Sequence, residues 1–172
     1  MLEPLLTKSH CAACKKCCTF EAMELQDAPL FTSETREIVL RDIDPTAGFI
    51  PRGNMWQIEL RRISGTDKYV CPVLDSAEGC RLGNQRPFDC RSFPFYVMRQ
   101  GEEVVLALSP ICPVITESER VAIDRVLDSG LLTSLIEEAL TCPDTIADYR
   151  PELLLLRKIG LLYELLNKNH AS

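Results

Sequence analysis

The sequence predicts an α+β protein, a small cysteine-rich region with a short antiparallel sheet, closed by C-terminal helices. Three observations predict it. Eight of the nine cysteines fall between Cys11 and Cys112, and only Cys142 lies beyond. Within that part, apolar and polar residues alternate with the period of a half-buried strand, as in Trp56 to Arg61. After Cys112 the apolar spacing lengthens to that of helices. A chain of 172 residues supports one domain with a proper core and is marginal for two. The expectation is a single domain over 1–172, with a cysteine-bearing region at 11–113 and a helical region at 114–172.

Each element has a local reason. Thr32-Ser33-Glu34 starts a helix that runs to Arg41 and stops at Asp44-Pro45, because the residue before a proline disfavours helical geometry. Trp56, Ile58 and Leu60 alternate with Gln57, Glu59 and Arg61 as a strand, and Tyr69-Val70-Cys71 ends a neighbouring one. Phe95–Met98 and Val104–Leu108 flank Arg99-Gln100-Gly101-Glu102-Glu103, which reads as a β-hairpin. Thr116-Glu117-Ser118-Glu119 fits a capping box, and Gly130 supplies the following stop. A second helix covers Leu131 to Leu140. Pro151 opens a third, running to Asn167, with Leu155, Ile159, Leu162 and Leu166 on one face. That face is expected to pack on the core, and the helical region is also where a protein partner would dock.

Composition narrows the function classes. The net charge of −6 argues against a general binder of nucleic acid or anionic membrane. No apolar stretch has the length of a membrane-spanning helix. Met1 to His10 reads MLEPLLTKSH, with no apolar run of signal-peptide length, so a cytoplasmic location is expected. In that compartment thiols stay reduced, and closely spaced cysteines point to metal ligation or catalysis rather than to a disulfide framework.

The cysteine spacing carries the chemistry. Cys11, Cys14 and Cys17 are each separated by two residues, which lets one tight turn aim several sulfurs inward. Thiolates are soft ligands suited to zinc, cuprous copper and iron–sulfur clusters. Zinc sites close such short pairs with two distant ligands, whereas ferredoxin-type clusters use the C-x2-C-x2-C run with a remote Cys-Pro. Cys71-Pro72 and Cys112-Pro113 both offer that pair, so spacing leaves zinc and iron open. In an extended segment Cys17 and Cys18 would point apart and serve different sites or a shared multinuclear one. Pro87 and Pro94 stiffen the chain on either side of Cys90, and Gly79 and Gly83 permit the tight backbone that donates N–H groups to the Cys80 sulfur. Arg81, Arg86 and Arg91, with Lys15 and Lys16, place positive charge near thiolates that would leave a dication site net negative. For the two lysines an ordinary solvated surface is the simpler role.

These residues resemble the bacterial cysteine-cluster family named for its C-x-x-C-x-x-C-C motif and described as zinc- or iron-chelating. The likeness rests on Cys11, Cys14, Cys17 and Cys18, on Cys71 and Cys80, on Arg86-Pro87-x-x-Cys90-Arg91-x-Phe93-Pro94, and on Cys112. It implies metal chelation and no defined reaction. Flagellin lysine N-methylases carry a similar cysteine motif in a longer chain, but no G-x-G-x-x-G fingerprint accompanies it here. The expected metal ligands are therefore Cys11, Cys14, Cys17, Cys18, Cys71, Cys80, Cys90 and Cys112, holding an iron–sulfur cluster or zinc, with the ferredoxin-like run leaning towards the cluster. Two function classes follow: a binding or metal-handling module, and an iron–sulfur enzyme or electron carrier. A thiol–disulfide pair at Cys11-x-x-Cys14 is disfavoured by the absence of a βαβ pattern. His10 is expected in an exposed loop, Asp42 and Asp44 in turn and cap roles, and Cys142 as a small half-buried residue. His170 is assigned no role.

Overall fold

The computed structural model describes residues 8–141, 146–162 and 164–165. Cys142, Leu166, Asn167 and His170 lie outside them. The chain forms two compact units, one of Thr7–Arg91 and one whose main part is Ser92–Ser172.

In the Thr7–Arg91 unit, helix α1 (Lys8–Cys14) leads through a 3-10 turn at Lys16–Cys18 into strand β1 (Thr19–Glu21). Strand β2 (Leu30–Phe31) precedes helix α2 (Ser33–Ile38), whose Thr32 cap accepts the Thr35 N–H at 3.1 Å. The helix continues as a π turn over Val39–Ile43 and ends at Asp44, where the chain becomes extended, as the Asp-Pro step requires. Strands β3 (Phe49–Arg52) and β4 (Met55–Ile58) follow, then β5 (Arg61–Arg62) and β6 (Lys68–Val70). The last pair are β7 (Leu74–Asp75) and β8 (Gly79–Cys80). They form three small antiparallel sheets, ordered β2-β4-β3, β1-β6-β5 and β7-β8.

Two expectations change here. Gln57 is buried rather than solvent-facing, because its amide donates to the Gln26 and Ala28 carbonyls at 2.7 and 3.2 Å while Arg52 Nε donates to its Oε1 at 3.0 Å. A buried amide with its bonds made costs little, so alternation alone misjudged it. The strand ending at Val70 pairs with β1 and β5, in a different sheet from Trp56. One core joins these pieces: Ala28, Phe31, Val39, Ala47, Ile58, Cys71, Val73 and Leu82, with Cys18 and Cys80 packed against it.

Helix α3 (Phe88–Ser92) carries Cys90 and leads to the second unit. There the expected hairpin forms from β9 (Phe95–Gln100) and β10 (Glu103–Leu108), with Gly101 at φ 65°, the conformation that a tight hairpin turn reserves for glycine. Val104 to Leu108 are all buried, as in a central strand covered on both faces. Helix α4 (Pro113–Thr116) starts at Cys112-Pro113, so Thr116 ends that helix, its hydroxyl bonded to the Cys112 carbonyl at 2.9 Å. The expected capping box is therefore absent. Glu119 caps helix α5 (Arg120–Val126) without a side-chain bond. Gly130, at φ 111°, makes the predicted break before helix α6 (Leu132–Leu140).

The third helix is not formed over Leu154–Leu161, although Leu162, Glu164 and Leu165 beyond it are helical. Leu154–Leu161 is strand β11, antiparallel to β10. The register jumps twice, leaving Leu156 and Ile159 as extra residues against β10. Such bulges reset the inside–outside alternation. They turn a strand pattern into apolar spacings that mimic a helix face. The Leu156 carbonyl accepts from Arg120 Nη2 at 3.0 Å.

Candidate metal centre

The centre is built on the Thr7–Arg91 unit. Cys11 and Cys14 are three residues apart on α1 and therefore share a helical face. Lys15 ends that helix in the left-handed conformation (φ 56°), its N–H bonded to the Cys11 carbonyl at 3.0 Å. The chain reverses into the 3-10 turn that holds Cys17 and Cys18. Because this turn is helical rather than extended, the two sulfurs lie 4.0 Å apart instead of facing opposite ways.

The next strands bring distant thiols to this turn. The Cys71 N–H donates to the Cys18 carbonyl at 3.0 Å, one step beyond the Thr19–Val70 pair of β1 and β6. Cys71 is buried, and its thiol accepts the Val73 N–H that the Cys-Pro-Val turn aims back at it. Cys80 sits in β8, with Leu74 opposite it in β7, and its sulfur accepts the N–H groups of Leu82 and Gly83. That is the donation expected from the glycines around it. Gly79, at φ 83°, has a second reason to be glycine, since a Cβ there would stand 3.2 Å from the Ala12 Cα. Helix α1 thus packs directly on the strand that carries Cys80. Asp75 Oδ1 accepts the Ala77 and Glu78 N–H groups at 2.7 and 2.8 Å and shapes the turn between β7 and β8. Lys15 Nζ donates to the Ser76 carbonyl in the same turn. Cys90 is held in α3 by the bond from its N–H to the Pro87 carbonyl at 3.1 Å.

Electrostatics identifies which thiols share a neighbourhood. Contact with the Cys18 sulfur and then burial push the Cys17 thiol far up. Burial pushes Cys71 up to about 12, with further upward contributions from the charges of Cys80 and Cys17. Burial first, and then Cys17, raises Cys80 against its two backbone donors and Arg86. Burial also raises Cys90 well above the usual thiol range, followed by the charges of Cys71, Asp89, Cys80 and Cys17. Cys17, Cys71, Cys80 and Cys90 are therefore within mutual electrostatic reach. Ionising them together is opposed by their own repulsion and by burial, and a cation among them would reverse that balance. The donor set fits a soft metal ion: sulfur only, three of the four sulfurs already accepting backbone N–H bonds. Among the described residues no three His, Cys, Asp or Glu side chains stand as a ready-made cage.

The remaining expected ligands are placed as follows. Cys18 adjoins Cys17, Cys11 is half-buried, and Cys14 is exposed. Cys112 is buried at the start of α4 in the other unit. His10 is exposed, on α1 rather than in a loop. Asp44 takes its turn role, accepting the Thr46 N–H and hydroxyl at 3.0 and 2.8 Å. Of the five nearby cations, Arg86 is the one that lowers the Cys17 and Cys80 thiols. Arg81 instead donates to the Ile43 carbonyl at 2.9 Å. Sequence reading did not separate these arginines; the one available signal was that Arg86 follows the Gly83 turn within reach of its carbonyl.

Residues 10–113 match the CxxCxxCC family, whose description reads "Putative zinc- or iron-chelating domain". No curated protein and no solved structure matches the chain. The chain belongs to the CxxCxxCC family, on a match covering more than half its length.

Proposed function

We propose that this member of the CxxCxxCC family binds one zinc ion through the thiolates of Cys17, Cys71, Cys80 and Cys90, and serves as a metal-binding module. The observation that carries the reading is the convergence of four thiols from distant segments: Cys71, Cys80 and Cys90 each feel the charge of Cys17, and three of the four accept backbone N–H groups. Four thiolates satisfy a tetrahedral dication, and a closed set of that kind suits a structural or metal-handling role. Such a site ties residues 17 to 90 together, so metal binding contributes directly to folding free energy. The ferredoxin-like run carries less weight than its spacing implied, because Cys11 and Cys14 belong to a helix and Cys14 is exposed.

A second reading is an iron–sulfur cluster, in an electron carrier or an enzyme. It is favoured by Cys18, whose sulfur lies 4.0 Å from that of Cys17 and adds a fifth thiol to the neighbourhood. Elemental analysis and an ultraviolet–visible spectrum of protein purified without oxygen separate the two. A colourless sample with one zinc per chain supports the first reading. Iron with acid-labile sulfide and broad visible absorption replaces it with the second.

A further inference from the structure

Four thiolates around a dication leave two negative charges in a half-buried place, so a fixed positive charge would strengthen the site. Sequence offers Lys15, Lys16, Arg81, Arg86 and Arg91 for this, and their contacts distinguish them. Lys16 is exposed, and Lys15 Nζ is on the Ser76 carbonyl. The guanidinium of Arg81 donates to the Ile43 and Asp42 carbonyls at 2.9 and 3.5 Å. Arg91 Nε donates to the Arg86 carbonyl at 2.9 Å.

Arg86 is placed differently. It is half-buried, and its Nε donates to the Gly83 carbonyl at 2.9 Å, so its guanidinium is fixed over the turn that follows Cys80. The Gly83 residue therefore links the two: its N–H faces the Cys80 sulfur while its carbonyl holds Arg86. The Arg86 carbonyl, through Arg91, also steadies the start of the helix that carries Cys90. One residue thus connects the Cys80 turn to the Cys90 helix and carries a planar guanidinium charge.

We propose that Arg86 is the positioning residue of this centre, fixing the Cys80 turn against the Cys90 helix and supplying the positive charge that lets the thiolates retain a divalent metal. The inference rests on the metal-binding reading above and adds a specific determinant of affinity. Its guanidinium is held at 2.9 Å on the carbonyl of Gly83, the residue whose N–H meets the Cys80 sulfur. Groups that orient and support metal ligands are worth about tenfold to a hundredfold in metal affinity, so losing Arg86 should weaken retention by that amount.

The test is competition for zinc between the full-length chain and a chromogenic chelator at neutral pH, for wild type, Arg86→Gln, Arg86→Lys and Arg81→Gln. The expected result is a loss of about tenfold or more in Arg86→Gln. Arg86→Lys, which keeps the charge, should recover most of that loss, and Arg81→Gln should match wild type. Raising the salt should narrow the gap between wild type and Arg86→Gln, as screening requires. Equal retention in Arg86→Gln and wild type overturns the role of Arg86 while leaving metal binding intact. Arg86→Lys no better than Arg86→Gln overturns the charge and leaves a purely structural contact. A wild-type chain that takes up no zinc overturns the parent reading instead.

Discussion

Replacing Gly79 by alanine tests how closely α1 is held to the Cys80 strand. Two costs arise. At φ 83° an L side chain enters left-handed space, which costs about 1–2 kcal/mol. The new Cβ would also stand 3.2 Å from the Cα and 3.3 Å from the Cβ of Ala12. Those neighbours belong to helix backbone and a short side chain, so α1 must shift by a few tenths of an ångström. Overpacking of this kind costs about 1–3 kcal/mol more. Gly65→Ala is the matched control, with φ 77° and nothing within 4 Å, so it reports the backbone cost alone. Urea unfolding of the zinc-loaded chain should show Gly79→Ala losing about 1–3 kcal/mol more than Gly65→Ala. Adding Ala12→Gly should recover part of the excess, as a coupling in a double-mutant cycle. Equal losses at the two glycines, with no coupling to Ala12, would refute the close packing of α1 on β8.

Other outcomes follow from the same geometry. Thr32→Ala removes the cap on α2 and should cost about 1 kcal/mol in urea unfolding with no change in zinc content. Chelator treatment should lower the thermal midpoint, since the metal joins segments far apart in sequence; an unchanged midpoint would contradict a structural metal. The pH dependence has opposite signs with and without metal. In the metal-free fold Cys71 keeps its proton up to about 12, above its ordinary 9.0, so this stabilisation is complete below pH 9 and lost as pH rises through 12. With zinc, ligation must displace the thiol protons, so retention should weaken by about tenfold per displaced proton for each unit of falling pH. Chelator competition between pH 6 and 8 measures that slope, and a flat profile would count against thiolate ligation.

The parts of the fold set by local chemistry were readable from sequence. Thr32 caps its helix, Asp44-Pro45 ends it, Gly101 turns the hairpin and Gly130 breaks α5 from α6, each through a neighbour or its own φ. What failed depended on distant partners. Segment 154–158 has the residues of a good helix, yet Leu154–Leu161 completes the sheet on β10, and the bulges at Leu156 and Ile159 hide its strand period. Gln57 reads as solvent-facing until the Gln26 and Ala28 carbonyls are seen above it. For the centre, the cysteines themselves were readable, as were the glycines that bend the backbone towards Cys80. Their grouping was not. Whether Cys17 meets Cys71, Cys80 and Cys90 depends on the left-handed Lys15 and on β1 pairing with β6, and neither is encoded in the spacing of the cysteines.

The central claim is that Cys17, Cys71, Cys80 and Cys90 together hold one metal ion. It is tested most directly by the metal content per chain of wild type, Cys90→Ser and Cys14→Ser, each purified without oxygen. The account predicts one zinc in wild type, one in Cys14→Ser, and a loss of most of it in Cys90→Ser. Full metal retention in Cys90→Ser, or loss in Cys14→Ser alone, would contradict it.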